Sequence, residues 1–140
     1  MGESTQWFAI KVRVDDLCAT AFRFVAQKTM YGGKGIGVGD AVFVFASENE
    51  GGAGLFARGV VCHSEAIPRT AAARQTPRVS ISIKRNGTAR QSFGRAQARR
   101  FRGAACDLPE AEIDFKLYRQ ATDKIVGLTD RAGEFLNGLF

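Results

Sequence analysis

Apolar and polar residues alternate with a period of two at the start of the chain. Over residues 6–14, Phe8, Ile10, Val12 and Val14 share one face, while Trp7, Ala9, Lys11 and Arg13 share the other. That period is the mark of a β-strand. Asp15 then reads as an N-cap with Asp16 in the first turn. Leu17, Cys18, Ala21, Phe22 and Val25 follow at the spacing of a core-facing stripe, which predicts a helix over residues 15–28. Glycine recurs through residues 32–39 too often for a helix, so a loop is expected there. Alternation returns at residues 41–47, with Val42, Val44 and Ala46 opposite Phe43, Phe45 and Ser47. A further strand is expected at residues 55–63. The glycine-rich stretch between the two makes them a hairpin with a long tip.

The second half of the chain changes character. A proline-bounded loop is expected at residues 68–77. It leads to a strand in which Val79, Ile81 and Ile83 alternate with Arg78, Ser80, Ser82 and Lys84. Asn86-Gly87 signals a tight turn, and residues 94–102 suit a short Arg-rich helix. Asp107 is placed to cap a helix over residues 108–122, followed by an extended piece at 124–128. A last helix is expected from about Thr129 to Leu139. With strands early, helices late and no internal repeat, the expected class is α+β, in one domain spanning residues 1–140.

Charge changes the picture. Residues 1–65, 66–106 and 107–140 carry formal charges of −1, +10 and −3, which make up the net +6. The middle block has no Asp or Glu. Its cations are Arg69, Arg74, Arg78, Lys84, Arg85, Arg90, Arg95, Arg99, Arg100 and Arg102, nine of the ten being arginine. Arginine's planar fork matches a phosphate or a base edge better than lysine's point charge does. A phosphate-binding surface is therefore expected, against the plainer reading of a solvated face. The 11 phenylalanines argue for a folded core, not a disordered basic tail. No apolar run reaches the roughly 18–20 residues of a membrane span, and no signal-peptide pattern opens the sequence. Cys18, Cys62 and Cys106 follow neither a disulfide nor a zinc spacing. Reduced, buried thiols in a cytoplasmic protein are the expectation.

Catalytic chemistry finds little support. The stretch Gly33-Lys34-Gly35-Ile36-Gly37 lacks the Gly-Lys-Ser/Thr of a phosphate loop and leads into a strand, so it reads as a connector. Cys62 and His63 are adjacent on a strand and point to opposite faces, which precludes a nucleophile–base pair. Asp15 and Asp16 fit capping better than metal binding, and Glu48, Glu50 and Glu65 have no ligand spacing. No catalytic residue, metal site or cofactor is expected. The face holding Trp7, Lys11 and Arg13 offers either a stacking surface with phosphate ligands or a core tryptophan with two snorkelling cations. Phe43 and Phe45 suit a core. Ser47 and Asn49 lie where their strand leaves the sheet, a place for hydrogen bonds to a ligand.

Three stretches together carry a family resemblance. Trp7-Phe8-Ala9-Ile10-Lys11-Val12, then Gly39-Asp40 opening the strand that ends Phe45-Ala46-Ser47, then Gly54-Leu55-Phe56-Ala57-Arg58-Gly59-Val60-Val61 resemble the PUA-like superfamily, especially its EVE and YTH branches. The likeness covers about residues 6–65. It implies a small, strongly bent β-barrel flanked by helices that binds RNA or DNA, with a single, often modified, base held in an aromatic-walled pocket. Carried over by position, Trp7, Phe45, Ser47 and Asn49 would line that pocket, with Lys11 and Arg13 at its rim. The chain departs from the YTH pattern in having no tryptophan beyond Trp7, which leaves Tyr31, Phe56 or Phe93 to complete an aromatic wall. The expected function is non-catalytic nucleic-acid binding, with the Arg-rich block gripping phosphates. An enzyme subunit acting on nucleic acid and a basic protein-interaction module are the alternatives.

Overall fold

The computed structural model describes residues 6–67, 78–103, 108–119 and 124–140. Six strands form a closed barrel: β1 (Trp7–Val12), β2 (Ala21–Met30), β3 (Ala41–Ala46), β4 (Gly54–Ile67), β5 (Arg78–Thr88) and β6 (Lys124–Leu128). Their order around the barrel is β1-β3-β4-β5-β2-β6. The β1–β3 and β2–β6 pairs are parallel, and the other four are antiparallel. Short helices α1 (Arg95–Ala98), α2 (Pro109–Ile113) and α3 (Asp130–Asn137) cover one side, and α2 runs on into a π-turn at Asp114–Tyr118.

Two apolar clusters share the strands between them. Phe8, Ile10, Val42, Val44, Ile81 and Ile125 fill the barrel. Ala9, Phe43, Phe45, Ile113, Val126 and Leu136 fill the space between the barrel wall and the helices. Both faces of β3 are consequently buried, and its burial is unbroken along its length. The expected α+β class, the strands at β1, β3, β4, β5 and β6, and the last helix all hold. Thr129 caps α3, its hydroxyl accepting from the Ala132 amide at 3.3 Å.

The helix expected over residues 15–28 is instead a turn followed by strand β2. Its alternation is Phe22 and Phe24 against Arg23 and Val25, and its ladder to β5 runs from Ala21–Lys84 to Phe24–Ile81. A bulge between Phe24 and Gln27 then breaks the period, with Ala26 at φ 52 and its amide donated to Ser80 Oγ at 2.8 Å. That break hid the strand and let a helical spacing fit. Leu17 and Val25, assigned to the helix core, are 52% and 58% exposed. Asp15 caps nothing and pairs with Arg13 at 3.0 Å, while Asp16 accepts from the Cys18 amide in a local turn.

Three smaller expectations also change. Asn86 and Gly87 lie inside β5, where Gly87 pairs with Arg58 and the Asn86 side chain accepts from Arg58 Nε, so no turn forms. Of the helix expected over residues 108–122, the described residues form α2 and the π-turn; Asp107 and residues 120–122 lie outside the described residues, and Leu108 takes the N-cap position. Cys18 and Cys62 are exposed free thiols, not buried ones. Cys106 and the expected loop at 68–77 lie outside the described residues.

One contact seats α3 on the barrel and another joins α2 to the start of α3. Gly133 of α3 sits on the indole of Trp7, where a Cβ would come within 2.2 Å of the ring. Glu112 of α2 accepts from the Thr129 hydroxyl, from the Thr129 amide at 2.9 Å and from Lys116 Nζ at 3.0 Å. Burial alone would raise the Glu112 pKa, but those hydrogen bonds outweigh it and hold the group below its ordinary 4.5. Gly133→Ala should therefore lower stability by about 1–3 kcal/mol in urea unfolding, as overpacking does. Glu112→Gln should destabilise the protein at neutral pH. Because the folded pKa is depressed, that deficit should shrink as the pH falls from 4.5 through the folded value, read from thermal melts of both proteins.

Candidate nucleic-acid interface

The outer faces of β1 and β3 build the candidate site. Parallel register sets Trp7 beside Ala41, Ala9 beside Phe43 and Lys11 beside Phe45. Trp7 and Lys11 are thus at opposite ends of one column, about 13 Å apart by strand rise. At the first end, Trp7 stacks on Phe43 at 5.8 Å and 13° beneath α3. Trp7 also walls a cavity of about 360 Å³ with Gln6, Tyr31, Thr129 and Asp130.

A polar cluster occupies the other end. Lys11, only 5% exposed, holds its Nζ 4.4 Å from the centre of the Tyr118 ring. Tyr118 meets Phe45 edge-on at 6.4 Å. Its hydroxyl donates to Glu48 Oε2 at 3.2 Å, and the Arg95 amide donates to the same oxygen at 2.6 Å. The Arg95 guanidinium donates to Asn49 Oδ1 at 2.5 Å. Ser47 Oγ and Glu48 Oε1 are buried and have no hydrogen-bond partner among the described residues. Burial first, then the Glu48 charge and hydrogen bond, push the Tyr118 phenol far above its ordinary value. Nearby, the buried Asp114 carboxylate accepts two hydrogen bonds from Arg102 at 3.2 and 3.3 Å.

Of the pocket residues suggested by sequence, the structure brings Lys11, Phe45, Ser47 and Asn49 together. Trp7 lies at the far end of the column. Arg13 lies exposed beyond β1, paired with Asp15. Glu48 and Tyr118 were missed. Glu48 sits between two chosen residues, so its position was a signal, whereas nothing local in the sequence ties Tyr118 to β3.

The basic block divides by what each cation does. Arg85 donates to the Leu17 and Ala19 carbonyls at 2.6 and 3.1 Å, and Arg78 to the Ala26 carbonyl at 3.2 Å. Arg95 and Arg102 hold Asn49 and Asp114. Lys84, Arg90, Arg99 and Arg100 are exposed and pair with no acid among the described residues. Arg69 and Arg74 lie outside the described residues.

No family model and no curated protein matches the chain. Solved structures do. Human THYN1, in complex with 5-methylcytosine-containing DNA, superposes with a TM-score of 0.67 at 14% identity, over 96% of this chain and 97% of that one. The DUF55 domain of human thymocyte nuclear protein 1 gives 0.64 at 13% identity, over 94% and 96%. Rpa0253 from Rhodopseudomonas palustris gives 0.60 at 14%, over 96% and 92%. The fold is PUA-like. This PUA-like barrel has no described helix long and apolar enough to cross a membrane. Its described residues hold no cluster of three or more side chains suited to a metal ion.

The Tyr118 arrangement can be checked directly. The chain has two tyrosines, and absorbance at 295 nm should show the Tyr118 phenolate forming only as the protein unfolds in alkali. Tyr118→Phe should remove that late step; a Tyr118 phenolate formed in the folded protein would contradict the buried geometry.

Proposed function

We propose that this PUA-like domain is a non-catalytic nucleic-acid-binding module that grips phosphates with exposed arginines and reads a single base at the Ser47–Tyr118 cluster. The observation that carries the reading is a pair of buried oxygens without a partner among the described residues, Ser47 Oγ and Glu48 Oε1, the Glu48 carboxylate being bonded to Tyr118 and the Tyr118 ring lying against Lys11. Buried polar atoms without partners are costly, and in a native protein they mark a place where a further group is expected. A base edge carries donors that could meet such oxygens, with Tyr118 and Phe45 as the aromatic side of the site. Arg99 and Arg100 follow directly on α1, whose first residue Arg95 reaches Asn49, so they adjoin the same cluster in the chain.

The charge pattern supports a polyanion partner, and the complex of THYN1 with 5-methylcytosine-containing DNA makes DNA the first nucleic acid to test. The free thiols of Cys18 and Cys62 suit a reducing compartment such as the cytoplasm. Fluorescence anisotropy with single- and double-stranded DNA and RNA across a salt series tests the reading. Replacing Arg99 and Arg100 together with Ala should leave the melt unchanged and weaken binding to every sequence. Each lost phosphate contact should flatten the log–log salt slope by about 0.9 on duplex DNA. Absence of binding at low salt would overturn the proposal and leave an acidic protein as the partner to seek.

A further inference from the structure

Among the described residues, β6 closes the barrel by hydrogen bonds at one end. β6 pairs with β1 from Trp7 to Ile10 and with β2 from Lys28 to Met30. The end of β1 and residues 21–27 of β2 therefore face each other across a seam that no described strand bridges. Phe22 and Phe24 point into the barrel at this seam, yet both are only half-buried. Their rings lie parallel, 6.1 Å apart at 6°, with Phe56 edge-on to Phe22.

Three cavities follow β2 in succession. The first, about 490 Å³, runs past Phe22, Arg23 and Lys84. The second, about 210 Å³, shares Phe22 and Arg23 with it and continues to Phe24 and Arg13. The third, about 640 Å³, shares Phe24 and Arg13 with the second and reaches Lys28 and Arg78. The second and third make one groove along the seam, about 23 Å long by the rise from Ala21 to Lys28, while the first lies on the outer face of β2 and β5 beside it. The groove's cations are Arg13, Arg23, Lys28 and Arg78. Its acids are Asp15, already paired with Arg13, and Asp16, bonded to the Cys18 amide. Arg23 and Lys28 are exposed and pair with no acid among the described residues.

We propose that this groove is a track for single-stranded nucleic acid, with unpaired bases against Phe22 and Phe24 and phosphates on Arg13, Arg23, Lys28 and Arg78. An aromatic floor within a cationic groove is the arrangement that binds single strands, because every base has a face to stack and every phosphate a charge to meet. Bases within a duplex are already stacked on one another and cannot reach rings set into a seam. A peptide strand added to the open edge of β2 is disfavoured by the bulge: Ala26 is in the left-handed region and the Val25 carbonyl is already taken by Gln27 Nε2 at 2.8 Å. The inference rests on the nucleic-acid reading above. It adds a second locus, apart from the Ser47–Tyr118 cluster, and it fixes the strand state.

Short oligonucleotides of one sequence, single-stranded and as a hairpin duplex, separate the two claims. Phe24→Leu keeps an apolar filling and removes the ring. It should weaken single-strand binding by about tenfold, as loss of one stacked base does, and leave duplex binding unchanged. Arg23→Gln with Lys28→Gln, both on the surface, should flatten the salt slope for single strands only. Cross-linking with 4-thiothymidine should map to residues 21–28. This second pair of measurements decides the matter if Phe24→Leu does not fold. Duplex-only binding, cross-links elsewhere, or unchanged single-strand affinity in folded variants would overturn the track while leaving the proposed function standing. No binding to any nucleic acid would defeat both.

Discussion

Because β1 and β3 lie side by side in parallel, each has to bury two faces at once. One face closes on the barrel interior and the other on the helices, so this pair of strands ties the two apolar clusters into one body. Parallel strands are usually covered on both sides, since the connection between them has to return over the sheet. Here the return passes through β2, and the outer face is covered by the helical segments that follow β5 and β6. The placement of α2 and α3 over Phe43, Phe45 and Val126 follows from that requirement. So does the depth of the Ser47–Tyr118 cluster, which sits where the covered face runs out.

The same double burial governed what could be read from the residues. Alternation showed β1 and β3 well, and the outer column of Trp7, Ala9 and Lys11 followed from it. The alternation could not say that this column is roofed by helices, which is why Trp7 stood between core and pocket. The structure sets it on Phe43 and under Gly133. β2 was lost for a different reason. Its period lasts only from Ala21 to Val25 before the Ala26 bulge resets it, and within so short a window Phe22 and Val25 also fit a helical stripe. The contacts of Ser80 Oγ and Arg78 with Ala26 stabilise that bulge from β5, more than fifty residues away. No local pattern carries such information. The same holds for Tyr118, which reaches Glu48 from 70 residues along the chain.

Charge was legible as an amount and not as a distribution. The acid-free block reads as one surface, but folding commits part of it to hydrogen bonds within the protein. Arg85 gathers the carbonyls that precede β2, Arg78 secures the bulge, and Arg95 and Arg102 hold the turn after β3 and the buried Asp114. Of the rest, Arg99 and Arg100 face outward just after α1, and Lys84 and Arg90 at and beyond β5, while Arg23 and Lys28, from outside the block, add their charge along the seam. Arginine suits both tasks because its several donors can satisfy carbonyls that lack a strand partner as readily as they meet a phosphate.

The position of β6 bears on how the chain comes together during synthesis. It is the last strand to be made, yet it stands between the first two in the ring, pairing with β1 on one side and β2 on the other. A ribosome releasing the chain from its amino end therefore exposes β1 and β2 long before their shared neighbour exists. The β3–β4–β5 meander has the sequential, hairpin-like contacts that form early, whereas closure waits for the final segment. Until then the nascent protein is an open, half-wrapped sheet with two unpaired edges. Its last short strand serves as the latch.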